Sequence, residues 1–258
     1  MVTRLLPVIL AFLSSPALAQ PWASTVIDYL PGSSATFTNP DRALRQPARF
    51  TGESSPWPGS VSPFSPPWLE SELVSIGPGG HLILSFHAPL RDNPLNPFGL
   101  DLLVFSNAFL LDTNWPHGVA GPLFASDVIV EASLDGSDWK PLVGGPARPT
   151  LGFLDLNDPY ASPHGSMKTN FTSPVDPAID LFGLDFQGLI HAYAGSGGGQ
   201  GFDLAGSGLA EANLIRLSVP SGAPAAFQLD ALARVAPIPA PASLTTGLAL
   251  LLLFRRRR

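Results

Sequence analysis

Between Gly77 and Trp139 three apolar runs follow one another, separated by glycine, proline and asparagine. In the first, His81–His87, Leu82, Leu84 and Phe86 fall on one face and Ser85 and His87 on the other, the period-two pattern of a half-buried strand. The second is Asp101–Asn107 and the third Asp127–Leu134. In the third, Val128, Val130, Ala132 and Leu134 are expected to face inward, with Glu131 and Ser133 in water. One wet face implies an antiparallel sheet. Asp135-Gly136 predicts a hairpin, because glycine adopts a positive φ without steric cost, and Trp139 then opens the returning strand. Leu214–Val219 is a further clear strand, and Thr25–Leu30 and Ala35–Thr38 are weaker ones.

Turn-forming residues fill the remainder. Ser54–Pro67 is dense in proline, which donates no ladder hydrogen bond, and is expected to be a surface loop. Pro146–Pro177 reads as a second long connection, and glycine-rich Ala192–Phe202 as a flexible loop. No helical period runs far enough to define a helical domain. With 258 residues, 29 prolines, 25 glycines and 13% charged residues, the chain is expected to be all-β, an antiparallel β-sandwich with long Pro/Gly-rich loops. It has no cysteine, so no disulfide holds it together.

The two ends differ from the body. Arg4, the apolar run Leu5–Leu13 and the small residues through Ala19 read as a secretory signal peptide, residues 1–19. The β-sandwich domain is then expected over residues 20–236. From Pro237 the tail holds a stiff spacer through Pro239 and Pro241, an apolar stretch from Leu244 to Phe254, and Arg255, Arg256, Arg257 and Arg258. About a dozen apolar residues are short for a span, which takes about 20. The four arginines would be held on the cytoplasmic side, giving a transient membrane contact. Without both ends the basic count falls from 14 to 9 against 20 acidic residues, a formal charge of about −11. No Lys/Arg cluster remains in the body, so nucleic acid is not an expected partner.

The order of motifs resembles a known group. Gly79-Gly80-x-Leu82-x-Leu84-x-Phe86, Asp101-Leu102-x-Val104-Phe105-x-Asn107 and Glu131-x-Ser133-x-Asp135-Gly136-x-x-Trp139 look like the discoidin-like, galactose-binding-type jelly rolls of bacterial exported cell-surface proteins. The likeness returns in Tyr193–Leu204 and Phe227–Leu232, and spans roughly residues 27–235. The tail resembles a PEP-CTERM sorting signal, with Ile238 where the group usually carries Glu. The resemblance implies an exosortase-type sorting protease as partner, with Pro237, Pro239 and Arg255–Arg258 as its signal. It further implies the cell surface or extracellular matrix as destination, surface polysaccharide as a ligand, and a structural calcium ion where an early loop meets the last strand. The corresponding positions are Asp41 and Asp230, for which a solvated or hydrogen-bonded carboxylate is the plainer reading.

Catalytic signatures are few. Gly206-Ser207-Gly208 lacks the spacing of a nucleophile elbow, and Gly195–Gly201 has no Gly-Lys-Ser/Thr. His81 and His87 lie about 20 Å apart along one strand, and no histidine pair has zinc spacing. Asp155 with Asp158, and Asp176 with Asp180, are loop carboxylates that define no glycosidase pair. Trp57, Trp68 and Trp115 fall in expected loops, where they either stack on sugar rings or pack the loops. Two functions stay open: a non-enzymatic exported surface or matrix protein, with carbohydrate as ligand, and a secreted carbohydrate-active hydrolase or lyase.

Overall fold

The computed structural model describes residues 20–160 and 164–237. Its strands are β1 (Thr25–Leu30), β2 (Phe50–Thr51), β3 (Gly59–Ser60), β4 (Val74–Ile76), β5 (His81–Arg91), β6 (Leu102–Ser106), β7 (Phe109–Asp112), β8 (Ala120–Phe124), β9 (Ile129–Ser133), β10 (Lys140–Pro141), β11 (Val143–Gly144), β12 (Gln200–Asp203), β13 (Glu211–Ser218) and β14 (Phe227–Arg234). One α-helix, α1 (Phe186–Tyr193), precedes β12. Two five-stranded sheets, ordered β1-β5-β13-β9-β10 and β11-β12-β6-β14-β4, face each other, and every strand pairing in them is antiparallel. The all-β sandwich expected from the apolar alternation is therefore the fold.

The sandwich core follows from that alternation. Leu82 and Leu84 of β5, Val130 and Ala132 of β9, and Ile215 and Leu217 of β13 meet Leu102 and Val104 of β6 and Leu229 and Leu232 of β14. The first sheet turns its other face to water. Its hairpin between β9 and β10 is fastened by Asp135, whose carboxylate accepts the Ser137 and Asp138 N–H groups. Trp139 lies under the Arg216 guanidinium, 4.3 Å from ring centroid to Cζ, while Arg216 also ion-pairs with Glu131 at 2.7 Å. Two expected orientations are corrected here. Leu134 is 48% exposed, because the strand has already turned, and Ser133 is buried, its hydroxyl accepting the Gly136 N–H.

In the second sheet, β6 and β14 are covered on both faces. In β6, Leu103 and Phe105 point away from the sandwich core and pack with Ala231, Ala233 and Phe171. A lobe made of the long connections supplies this cover. Pro146–Pro177, expected as a plain connection, buries Leu151, Phe153, Leu156, Phe171 and Val175. Ser54–Pro67 is likewise a surface loop only in part, since Gly59–Phe64 is buried and β3 pairs with β2. Ala35–Thr38 forms no strand, although the Phe37 carbonyl accepts the Ser75 N–H. In α1, Phe186, Leu189, Ile190 and Tyr193 recur at the i, i+3, i+4, i+7 spacing of one helical face and are all buried. Asp185 caps the helix by accepting the Gly188 N–H at 2.7 Å.

Arg49 ties the lobe to the sheet. Its guanidinium stacks 3.9 Å over Phe171 and donates to the Thr169 carbonyl and hydroxyl and to the Gly152 carbonyl. The glycine-rich segment expected to be flexible is enclosed against the same ring, with Ser196 to Gly199 buried. A Cβ on Gly197 would stand 2.0 Å from Phe171 Cδ1, whereas a Cβ on Gly206 would meet nothing within 4 Å. Gly197→Ala should therefore cost about 1–3 kcal/mol by overpacking, several degrees in melting temperature for a domain of this size. Gly206→Ala should leave the thermal midpoint within about a degree, as expected of a surface change.

Candidate functional site

Three loops from the lobe enclose a cleft of about 320 Å³ lined by Trp57, Pro58, Gly59, Ser65, Trp115, Pro116, Asp158 and Tyr160. Trp57 sits on the connection between β2 and β3. Gly52 has φ +73°, and a Cβ there would meet the Trp57 carbonyl oxygen at 2.4 Å, so only glycine permits this turn. The Ser55 hydroxyl donates to the Gly52 carbonyl and accepts the Trp57 N–H at 3.0 Å, fixing where the indole projects.

Trp115 sits on the β7–β8 connection, which Asp112 holds closed. Asp112 accepts the N–H groups of Asn114, Gly118 and Val119, and the Tyr160 hydroxyl donates to it at 3.1 Å. Partial burial pushes the Asp112 carboxyl up, but these donors outweigh it and hold it below the usual carboxylate range. Burial, followed by the hydrogen bond to this anion, pushes the Tyr160 phenol well up, so the hydroxyl stays a donor. Asp158 accepts the Tyr160 N–H at 2.7 Å, and the Ser62 hydroxyl donates to the Pro159 carbonyl, which pins the third loop.

The indoles of Trp57 and Trp115 are 77% and 75% exposed, so both present open apolar faces beside a carboxylate. Of the three tryptophans singled out in the sequence, these two share the cleft. Trp68 does not line it; its backbone N–H is taken up by the Glu72 carboxylate. The sequence singles out Asp158 as a loop carboxylate beside Asp155 but does not point to Asp112 or Tyr160. Asp112 followed by Asn114 carries the local signal of an Asx turn, but the Tyr160 contact spans 48 residues and has no local signature.

Asp230 and Asp41 stand in different surroundings. Asp230 is the extra residue of a β-bulge in β14, where the pairing with β6 shifts between Leu229 and Ala231. The bulge turns its side chain into the interior, where Oδ2 accepts the Ala48 N–H at 2.8 Å and Oδ1 has no hydrogen-bond partner. An early loop does meet the last strand here, but the neighbouring charge that favours the carboxylate is the Arg45 guanidinium. Asp41 is exposed on a 3-10 turn, Pro40–Ala43. Asp230 thus accepts a backbone N–H beside a guanidinium, and Asp41 lies in solvent. Among the described residues, the acidic group close enough to share an ion is Asp92, Asp101 and Asp203.

Of the sorting residues, Pro237 is the last described position, following Ala236, whose N–H donates to the Thr172 carbonyl. Pro239, Arg255, Arg256, Arg257, Arg258 and the expected signal peptide lie outside the described residues. No helix among the described residues is long and apolar enough to cross a membrane. No protein-family model matches the chain, and no curated protein matches its sequence.

Burial raises the Asp230 carboxyl to about 7, with the Ala48 N–H and Arg45 drawing it down less strongly. A carboxyl with a raised native pKa stabilises the fold when protonated. Its contribution is complete below the unfolded value of 3.8 and is lost as pH rises through about 7. Asp135 and Asp155, held down to about 2 by backbone and serine donors, act in the opposite sense and only below the carboxylate range. Denaturant unfolding across pH 4–8 in chelator should therefore show stability falling with rising pH, and Asp230→Asn should flatten that slope.

Proposed function

We propose that the protein is a non-enzymatic, exported surface or matrix protein that binds carbohydrate in the Trp57–Trp115 cleft. The observation that carries this reading is the pairing of two open indole faces with Asp158 and Tyr160 in one concave site. Sugar rings present a flat C–H face and a rim of hydroxyls. Indoles cover the first and a carboxylate accepts hydrogen bonds from the second. Exposed tryptophan is costly in water, and two on separate loops converging on one cleft mark a binding surface better than loop packing does.

Several features support the non-enzymatic form of this reading. Among the described residues Asp158 is the one carboxylate lining the cleft, and Asp112 behind it is engaged by four donors. Glycoside hydrolysis ordinarily takes two carboxyl groups flanking the bond. Among the described residues no histidine lines the cleft to act as a base beside Ser65. The discoidin-like resemblance, the signal-peptide pattern of residues 1–19 and the PEP-CTERM-like tail support export, with an exosortase-type protease removing the tail. The last strand ends at Arg234, and Pro237, the first residue of the expected sorting signal, is the last described position.

Glycan-array binding of the purified protein should give a defined set of hits with no cleavage products. Trp57→Ala and Trp115→Ala should each weaken those hits by about tenfold or more, about 1.4 kcal/mol, while Trp68→Ala leaves them unchanged. Product formation would instead select the hydrolase or lyase. Equal loss in all three variants would remove the cleft as the site. Intact-mass analysis of protein released from its native host should show residues 1–19 and the arginine tail missing.

A further inference from the structure

The charge around the tryptophan cleft is of one sign. The three loops that form it, residues 52–58, 112–119 and 155–160, hold the carboxylates of Glu53, Asp112, Asp155 and Asp158 and no Lys or Arg. Among the described residues no basic side chain lines the cleft itself. Asp158 is exposed at its wall. Its Oδ1 accepts the Tyr160 N–H at 2.7 Å, and no further hydrogen bond or ion pair among the described residues engages Oδ2. Its negative charge is therefore left to solvent or to a ligand.

A second observation is the set of rings around that carboxylate. Trp57, Trp115 and Tyr160 line the same cleft of about 320 Å³, so aromatic faces and an anion share one concavity. The face of an aromatic ring is the negative end of its quadrupole, and indole attracts a cation more strongly than phenol or benzene does. The Tyr160 ring is fixed, because its hydroxyl donates to Asp112 at 3.1 Å and Phe64 packs against it, and this sets a second carboxylate behind the ring. Asp112 is turned to the backbone donors of its own loop and does not line the cleft, which leaves Asp158 as the direct counter-charge. A neutral sugar would use the indoles only as apolar surface, and an acidic sugar would be repelled by Asp158. A protonated amine meets both the ring faces and the carboxylate.

We propose that the cleft selects glycans carrying free, protonated amino groups, polymers of de-N-acetylated amino sugar, over neutral, N-acetylated and acidic ones. The inference rests on the carbohydrate reading of the cleft and adds the charge of the ligand to it. The flat C–H face of the sugar stacks on an indole, and its ammonium group lies against the ring faces and pairs with Asp158. The charge of the body acts in the same sense at longer range: residues 20–236 hold 9 Lys and Arg against 20 Asp and Glu, which draws a polycationic chain to the surface. A lysine side chain of a peptide offers the ammonium without the flat C–H face that two indoles cover, so the structure favours an amino sugar over a basic peptide.

Calorimetric titration of the purified protein with tetrasaccharides of the same linkage, one of glucosamine and one of N-acetylglucosamine, tests the charge preference. The glucosamine tetrasaccharide should bind about tenfold tighter at low ionic strength, and the advantage should shrink in about 0.5 M sodium chloride, where exposed charges are screened. Asp158→Asn keeps the Oδ1 acceptor for the Tyr160 N–H. It should reduce the preference to about twofold or less and leave N-acetylglucosamine binding within about twofold. Trp57→Ala should weaken both ligands by about tenfold or more. Asp41→Asn, at an exposed carboxylate outside the cleft, should retain the full preference, which separates recognition in the cleft from adsorption of a polycation to an acidic surface. Equal affinity for the two tetrasaccharides, weakened alike in Trp57→Ala, would overturn the charge preference and leave the cleft a carbohydrate site, whereas binding of neither would remove both readings. A preference that survives Asp158→Asn, or trilysine binding as tightly as the glucosamine tetrasaccharide, would also overturn the proposal.

Discussion

Burial of β6 and β14 on both faces is the constraint on which the remainder of the molecule depends. A sandwich of two sheets ordinarily buries one face of each and leaves the others wet. In β6 the four residues from Leu102 to Phe105 are all buried, and β14 is buried from Leu229 to Ala233. Fully burying a side chain of this kind contributes about 1.5–3 kcal/mol, so an outer face of Leu103, Phe105, Ala231 and Ala233 needs a cover. Phe171 supplies its centre, meeting Phe105 edge-on with ring centroids 5.4 Å apart.

That requirement accounts for the long connections. A loop that covers a sheet must satisfy its backbone polar groups without a ladder, and the lobe does so through isolated side chains. Arg49 saturates the carbonyl of Thr169, Arg148 donates to the carbonyls of Asp176, Pro177 and Ile179, and the Tyr193 hydroxyl donates to Pro149. The second apolar cluster, centred on Leu151, Phe186 and Leu189, then gives the lobe an interior of its own. The tryptophan cleft is built on the outside of that cluster: Phe64 packs against Phe186 beneath and against Tyr160 above.

Electrostatics follow the same division. Asp112, Asp135 and Asp155 close turns by accepting backbone N–H groups and are held ionised by them. Asp101 and Asp230 are pushed the other way by burial, Asp230 because a β-bulge turns it inward and Asp101 because the β5–β6 loop folds over it.

Local patterns determined much of this protein. The alternation of Leu82, Leu84 and Phe86, the Asp135-Gly136 turn and the runs at Thr25–Leu30 and Leu214–Val219 specify strands by side-chain period and turn chemistry, both of which act within a few residues. The 186–193 helix also carried its signal, an Asp cap and four apolar residues at helical spacing, in a stretch too short to stand out beside glycine-rich flanks. Other features were decided only in three dimensions. Whether Pro146–Pro177 covers a sheet depends on Phe171 reaching Phe105, 66 positions away in sequence. Whether Trp57 or Trp68 enters a cleft depends on which loop closes against Trp115, and the gathering of Asp92, Asp101 and Asp203 depends on the order in which strands pair. Period and propensity are local quantities. The meeting of distant loops and strand ends is set by how two sheets and a lobe share the burial of one strand pair.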